Sequence, residues 1–184
     1  MITDSIHIRK ASLGDISILQ ELGILTFREA FEAFNSADNM RMYLETAFSD
    51  EQMTKELSDR NSEFYLAETG GEAIGYLKLN FADEQTELQD RDGLEIERIY
   101  VLKKFYGRKV GQALFKKATE IASQRALKYI WLGVWEENLR AINFYKKNGF
   151  LEFGKHKFML GTDEQTDILM KLTLSKTPRH QTNK

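Results

Sequence analysis

Leu94-Glu95-Ile96-Glu97-Arg98-Ile99-Tyr100-Val101 alternates as a strand does, but not in one phase. Its apolar side chains fall at even positions, 94 and 96, and then at odd ones, 99 and 101. Side chains of a strand change face with a period of two, so a slip of one residue predicts a β-bulge near Glu97 and Arg98. A basic, glycine-bearing stretch comes next, Lys103-Lys104-Phe105-Tyr106-Gly107-Arg108-Lys109-Val110-Gly111-Gln112. After it the pattern predicts a helix over 110–126, a strand over 129–134 and a helix over 138–147, with strands around 150–153 and 167–170. Strand, helix, strand, helix, strand implies parallel pairing in the middle of a mixed sheet.

Upstream, residues 6–9 alternate like a strand, and Ser12 and Asp15 offer a cap for the segment after them. Ile16, Leu19, Leu22, Phe27, Ala30, Phe31 and Phe34 fit a helix over 16–34, softened near Gly23. Two further helices are expected over 38–48 and 50–57. Strands over 64–68 and 73–81 flank Thr69-Gly70-Gly71-Glu72, whose glycines supply the positive φ of a tight hairpin. An acidic loop, 83–92, leads back to the bulged strand. The fold class is α/β or α+β around one central sheet.

With 184 residues, one proline (Pro178) and no Pro/Gly/Ser-rich interruption, the chain reads as one domain over 1–174 with a polar, disordered tail over 175–184. The net charge of −2 argues against a nucleic-acid partner, whose phosphates reward a strongly basic face. No apolar run reaches the ~18 residues of a membrane span, and the start of the chain lacks a signal-peptide pattern, so a soluble, cytoplasmic protein is expected. The absence of Cys removes disulfides, thiolate metal ligands and a thiol nucleophile. His7, His156 and His180 show no ligand spacing, so no metal is expected. His156 is expected at the surface, and Trp131 and Trp135 in the sheet core.

Free N–H groups at a helix start, glycines that let a ligand approach and four cationic side chains suit a polyphosphate on the 103–112 loop. The stretch is neither a Walker A loop nor a G-x-G-x-x-G fingerprint, and a solvated basic loop capping a helix is the plain alternative. The second informative segment is Asn138-Leu139-Arg140-Ala141-Ile142-Asn143-Phe144-Tyr145-Lys146-Lys147-Asn148-Gly149-Phe150. Asn138 is a good N-cap and Gly149 a good C′ residue, which a simple core helix would also explain.

Taken together, the loop after a bulged strand and the pattern N-x-x-A-x-x-F-Y-x-x-x-G-F resemble the GNAT superfamily of acyl-CoA-dependent N-acyltransferases, over residues ~6 to 173. That resemblance implies a mixed, mostly antiparallel sheet of six to seven strands with a bulged, splayed parallel pair, flanked by four to five helices. It also implies acetyl-CoA as co-substrate. The family's pyrophosphate loop is usually Q/R-x-x-G-x-G/A; here Tyr106 takes the first position and Lys109 the first glycine, and only Gly111 is kept. More narrowly, the T-F-R-E-A-F segment, L-E-I-E-R-I-Y-V, I-W-L-G-V-W-E-E-N and the late E-Q-T-D are similar to bacterial PaiA-type diamine and polyamine N-acetyltransferases.

The resemblance places pantetheine against the backbone of Ile99, Tyr100 and Val101 and against Asn138. It places the pyrophosphate on Tyr106, Gly107, Arg108, Lys109, Val110, Gly111 and Gln112, with Lys104, Arg108, Lys109 and Lys147 as candidates for the outer phosphates. An alkyl amine arrives protonated, with a pKa near ~10.4, and must lose a proton before it attacks a thioester. Glu97 is the expected base, with an ordinary Arg-paired strand carboxylate as the alternative; Tyr145 is the expected acid, with a buried aromatic as its alternative. The Ile99 N–H would polarise the thioester oxygen. Glu29, Glu32 and Glu95 are candidate anchors for the remaining ammonium groups of a spermidine- or spermine-like amine. Acetylation of a protein N-terminus or lysine, or a CoA-sensing module without turnover, are the competing functions. The oligomeric state stays open, a homodimer included.

Overall fold

The structure, a computed structural model, describes residues 5–174. The tail expected to be disordered, 175–184, lies outside the described residues. Seven strands form one sheet in the order β1-β2-β3-β4-β5-β7-β6: β1 His7–Lys10, β2 Ser62–Thr69, β3 Glu72–Phe81, β4 Gly93–Val101, β5 Tyr129–Trp135, β6 Leu151–Leu160 and β7 Asp163–Thr173. The helices are α1 Ile16–Phe31, α2 Ala37–Ala47, α3 Asp50–Ser58, α4 Val110–Gln124 and α5 Leu139–Lys147.

The bulge is where the apolar phase slip puts it. Arg98 stands opposite Lys78 and Ile96 opposite Leu79, which leaves Glu97 without a partner in the β3–β4 ladder. One extra residue changes which face the next side chains take. Ile96 and Ile99 therefore both pack toward α4, while Glu97 and Arg98 both reach Lys78 or Glu56 on the side of α1–α3. The parallel pair β4–β5 holds only from Gly93↔Tyr129 to Glu95↔Trp131. Beyond that point β4 stays with β3 as far as Val101↔Gly75, and β5 stays with β7 as far as Trp135↔Asp167, so the two strands part.

Two apolar layers cover the sheet. Val110, Leu114, Ala118 and Ile121 of α4 pack with Leu77, Leu79, Leu94 and Ile96 on one face. On the other, Leu19, Leu22 and Phe27 of α1 pack with Leu44, Met53, Phe64 and Tyr76. Gly23 does not soften α1: a Cβ there would collide with the Phe48 ring, so the glycine is what lets Phe48 lie on the helix. The α-helix ends at Phe31 rather than 34, because Asn35 Nδ2 donates to the Phe31 carbonyl and the chain closes in a 3-10 turn, Glu32–Phe34. The last hairpin is longer than expected. Along β6 the exposed Lys155, Lys157 and Met159 alternate with the half-buried Gly154, His156 and Phe158, and short apolar windows miss such a half-solvated edge strand.

Candidate active site

Where β4 and β5 part, two cavities meet. Both are lined by Ile99, Tyr100, Asn138, Ala141 and Tyr145. The first, about 290 Å³, runs toward the basic loop past Val101, Tyr106, Gly111 and Arg140. The second, about 250 Å³, runs to the other side past Glu87, Glu95, Glu97 and Asp167, with aromatic walls from Phe31, Tyr43, Trp135 and Phe158.

The basic-loop cavity is built from main chain. The Leu102 N–H donates to the Ile74 carbonyl, so alternation along an antiparallel pair turns Tyr100 to β3 as well. Ile99 and Val101 thus turn their N–H and C=O into the gap that β5 has left, whereas the Tyr100 backbone, expected there too, is spent on β3 and contributes its ring. The N–H groups of Val110, Gly111 and Gln112 open α4 and find no acceptor among the described residues. Such groups, with the positive end of the helix dipole, form an anion site. Lys109 occupies the position just before them at φ +65, a left-handed conformation that costs a non-glycine residue roughly 1–2 kcal/mol. The backbone thus keeps a glycine-like turn although the side chain is lysine. Gly107 is left-handed too, at φ +77.

Side chains complete that side unevenly. The Arg140 guanidinium lies over the Tyr106 ring at 3.2 Å from its centroid, an aromatic-cation pair the sequence reading missed. Arg108 stacks on Phe105, and Lys104 is paired with Glu72. Gln112 Nε2 donates to Asn148, tying α4 to the end of α5. Lys147 is exposed and lines neither cavity. Asn138 caps α5 by accepting from the Ala141 N–H at 3.1 Å, and so holds the helix start between the cavities.

The acidic cavity has one neutralised wall. Glu97 accepts from Lys78 at 2.6 Å, Arg98 at 3.2 Å and Asn80 at 2.5 Å, while Lys78 and Arg98 also hold Glu56 of α3. Burial alone would raise the Glu97 carboxyl, but Arg98 and Lys78 outweigh it and hold it down to about 2. Glu97 is therefore the Arg-paired strand carboxylate, a fixed negative charge and a weak proton acceptor. Glu95 is buried, which raises its carboxyl, against hydrogen bonds from the Thr86 hydroxyl at 2.5 Å, the Thr86 amide and Asn80 that lower it. Asp167 is raised by burial, opposed by His156 and reinforced by Glu136. Burial also raises the Tyr145 phenol, so it stays protonated at any ordinary pH.

Several sequence expectations change here. Glu29 accepts from the Lys103 N–H at 2.7 Å and lines the basic-loop cavity, and Glu32 is exposed on the 3-10 turn and lines neither. Neither joins Glu95, because α1 presents Phe27 and Phe31 to the acidic cavity instead. His156, expected at the surface, is half-buried in β6 with Nε2 2.9 Å from Glu87 Oε1. Trp131 is sheet core and donates to Gln85, but Trp135 packs on Phe31 and Phe34 at the cavity wall. Glu87 and Asp167 were missed as site residues, and His156, which the sequence puts within reach of the site, was expected at the surface instead. Asp167 closes the E-Q-T-D run, yet nothing local in that run says it faces a site on β5.

Residues 26–150 match the Acetyltransferase (GNAT) family. The chain belongs to the GNAT family. It is 42% identical over 149 residues, 81% of this chain and 86% of the relative, to an uncharacterized N-acetyltransferase of Lactobacillus delbrueckii subsp. lactis. It is 25% identical over 150 residues, 79% of this chain and 88% of the relative, to the spermidine N(1)-acetyltransferase of Thermoplasma acidophilum. Among solved structures, the PaiA N-acetyltransferase of Thermoplasma acidophilum in complex with coenzyme A superposes with a TM-score of 0.74 at 21% identity, over 92% of this chain and 99% of that one. As a GNAT N-acetyltransferase the protein uses acetyl-CoA, and the parted strands, the free amides of α4 and the cations around them fit that donor. No helix among the described residues is long and apolar enough to cross a membrane. No group of three or more His, Asp or Glu among them could hold a metal ion.

Proposed function

We propose that this GNAT enzyme acetylates a primary amine of a small polyamine, spermidine or spermine in type. The carrying observation is the asymmetry of the two cavities that meet at Tyr145: one is lined by Gly111 of the α4 start, Lys103 and Arg140 with the single carboxylate Glu29, the other by Glu87, Glu95, Glu97, Asp167 and aromatic faces with the single arginine Arg98. A polyamine needs negative charge away from the reacting nitrogen for its other ammonium groups, and apolar or aromatic walls for its methylene segments. Glu87 and Glu95 supply the first, beside a Glu97 whose charge Lys78 and Arg98 already balance, and Phe31, Tyr43, Trp135 and Phe158 supply the second. The similarity to a spermidine acetyltransferase supports the same reading.

Acetyl-CoA supplies a thioester, an activated acyl group with a thiolate as leaving group. The Val110, Gly111 and Gln112 amides, with Arg140 and the basic loop, hold its phosphates. Ile99 and Val101 hold the pantetheine arm in the place of a β5 ladder, with the Ile99 N–H toward the thioester oxygen. Tyr145 gives its proton to the departing sulfur. Its hydroxyl is bonded to no described residue, and Tyr145 lines both cavities.

Free-thiol release from acetyl-CoA, measured with spermidine, spermine, a monoamine of equal length and a lysine peptide, tests the assignment. The two polyamines are expected to show the higher kcat/KM. Equal efficiency on the monoamine defeats the polyamine reading, and turnover of the peptide without spermidine turnover makes the protein an acetyltransferase of proteins. Binding of acetyl-CoA with no thiol release on any acceptor makes it a sensor.

A further inference from the structure

Asp167 is the one carboxylate of the acidic cavity with no hydrogen-bond or ion-pair partner among the described residues, although His156 stands opposite it across the β6–β7 ladder. Glu97 is held by two cations and an amide, and Glu95 by Thr86 and Asn80. Glu87 lies against His156. The Asp167 side chain has no hydrogen-bond or ion-pair partner among the described residues, yet it is partly buried and lines the cavity. Its position is also built. It lies on β7 opposite Trp135 of β5, and a Cβ added to Gly133 would stand 3.3 Å from Asp167 Oδ2. The carboxylate therefore rests over the bare backbone of Gly133, two residues past the last β4–β5 pair, where the strands have parted. A glycine inside a strand commonly marks the close approach of a ligand. Here it leaves space that a methyl group would take.

We infer that Asp167 is the catalytic proton acceptor for the acceptor amine. The inference rests on the acidic cavity being the amine site. Glu97, the choice the sequence suggested, is disfavoured by its partners: Arg98 and Lys78 hold its carboxyl below the ordinary range, a poor match for an alkylammonium near ~10.4. Burial moves Asp167 the other way and improves the match. The charged and titratable groups around it are His156 across the β6–β7 ladder, Glu136 just after β5, Glu87 from the loop before β4, Glu95, Glu97 and Arg98 from β4, Tyr43 from α2 and Tyr145 from α5.

In the step, Asp167 takes one of the three ammonium protons, which leaves a neutral amine with a free electron pair. That pair forms the C–N bond to the acetyl carbon as the C–S bond breaks and its electrons go to sulfur. Tyr145 protonates the sulfur and regains the proton that the new amide nitrogen sheds. Asp167 releases its proton toward solvent past His156 and Glu87 at the rim. The balance is one amide, one thiol and one proton.

Asp167→Asn keeps the shape and removes the acceptor. On the best amine of the acceptor panel, kcat is expected to fall about 10²-fold at neutral pH with KM for acetyl-CoA unchanged. The variant's rate should then climb about tenfold per pH unit, following free amine in solution, where the wild type levels off. Gly133→Ala, which crowds Asp167 without removing it, should lower kcat as well. A variant that loses only KM for polyamines, with kcat and the monoamine untouched, would make Asp167 an ammonium anchor and overturn the inference. So would a wild-type pH profile in the variant. Should the wild type acetylate no amine at all, the functional reading fails first. Carboxyl-carbon NMR of the free protein then decides separately, since an Asp167 signal titrating within or below the ordinary aspartate range removes the acceptor.

Discussion

Tyr145 packs among Phe144 and Phe150 with ring centroids 5.4 and 5.5 Å away, so its ring is core and its hydroxyl is not. Burying an unpaired hydroxyl is costly, though the core Tyr76 carries one, so an unbonded hydroxyl alone does not assign a role to Tyr145. Tyr145 also lines both cavities, and the two roles separate experimentally. Tyr145→Phe should leave the melting temperature almost unchanged while lowering kcat about 10²-fold, with KM for acetyl-CoA preserved. Thermal melts and steady-state kinetics on the same preparation check this; a loss of stability with normal turnover would return Tyr145 to the core. Asp167 is the opposite case. Its type and place in the chain are ordinary, and only the bare backbone of Gly133 beneath it gives it a function.

Strand β4 joins the fold to the chemistry, because its bulge sends Glu97 and Arg98 to one face together. Once there, Glu56, Lys78, Glu97 and Arg98 balance two charges of each sign in a buried group, and α3 is fastened to the sheet through it. Removing one member leaves an uncompensated buried charge, typically about 3–5 kcal/mol. Glu97→Gln should therefore cost about 3 kcal/mol or more at neutral pH. The sign with pH comes from the depressed carboxyl: its contribution is complete above the unfolded value near ~4.3 and is lost as pH falls toward about 2. Asp15, held near about 2 by Arg9 against its partial burial, loses stability in the same window, so the difference between wild type and variant isolates Glu97. Denaturant melts from pH 7 to pH 2 should show the gap closing on acidification; a constant gap would mean that Glu97 is not ionised in the native state. This bulge was legible in the sequence because four apolar residues change phase, and α5 because its cap and its terminal glycine bracket it. The ion group was not, since Glu56, Lys78 and Glu97 lie on three elements and pair only after the sheet forms. Glu29 and Glu32 misled for the same reason: helical spacing places them near each other but does not say what the helix faces.

Across the whole molecule the near-neutral charge hides a separation. Four carboxylates line one cavity at the β4–β5 parting, with Arg98 among them, and Lys103 and Arg140 line the other, with Glu29, so an anionic donor and the proposed cationic acceptor would each meet a surface mostly of opposite sign. The parting has a thermodynamic cost in the free protein, because Ile99 and Val101 forgo the parallel ladder that Glu95 still makes with Trp131. A donor that occupies the gap replaces those contacts and exists there only when the sheet is folded. Acetyl-CoA should therefore stabilise the protein by mass action, about 2.7 kcal/mol at ~100 times its dissociation constant, with the melting temperature rising further with each tenfold increase in concentration. Added salt should reduce the shift, since Arg108 and Lys109, the proposed phosphate contacts, are exposed and are screened within a Debye length of ~8–10 Å. Arg140→Ala should reduce it too, by removing the guanidinium that covers Tyr106 at the cavity wall. Differential scanning calorimetry with millimolar acetyl-CoA reads all three. No shift at that concentration would mean that the parted strands are not a donor site, and the meeting of the two cavities would then have to be explained by some other ligand.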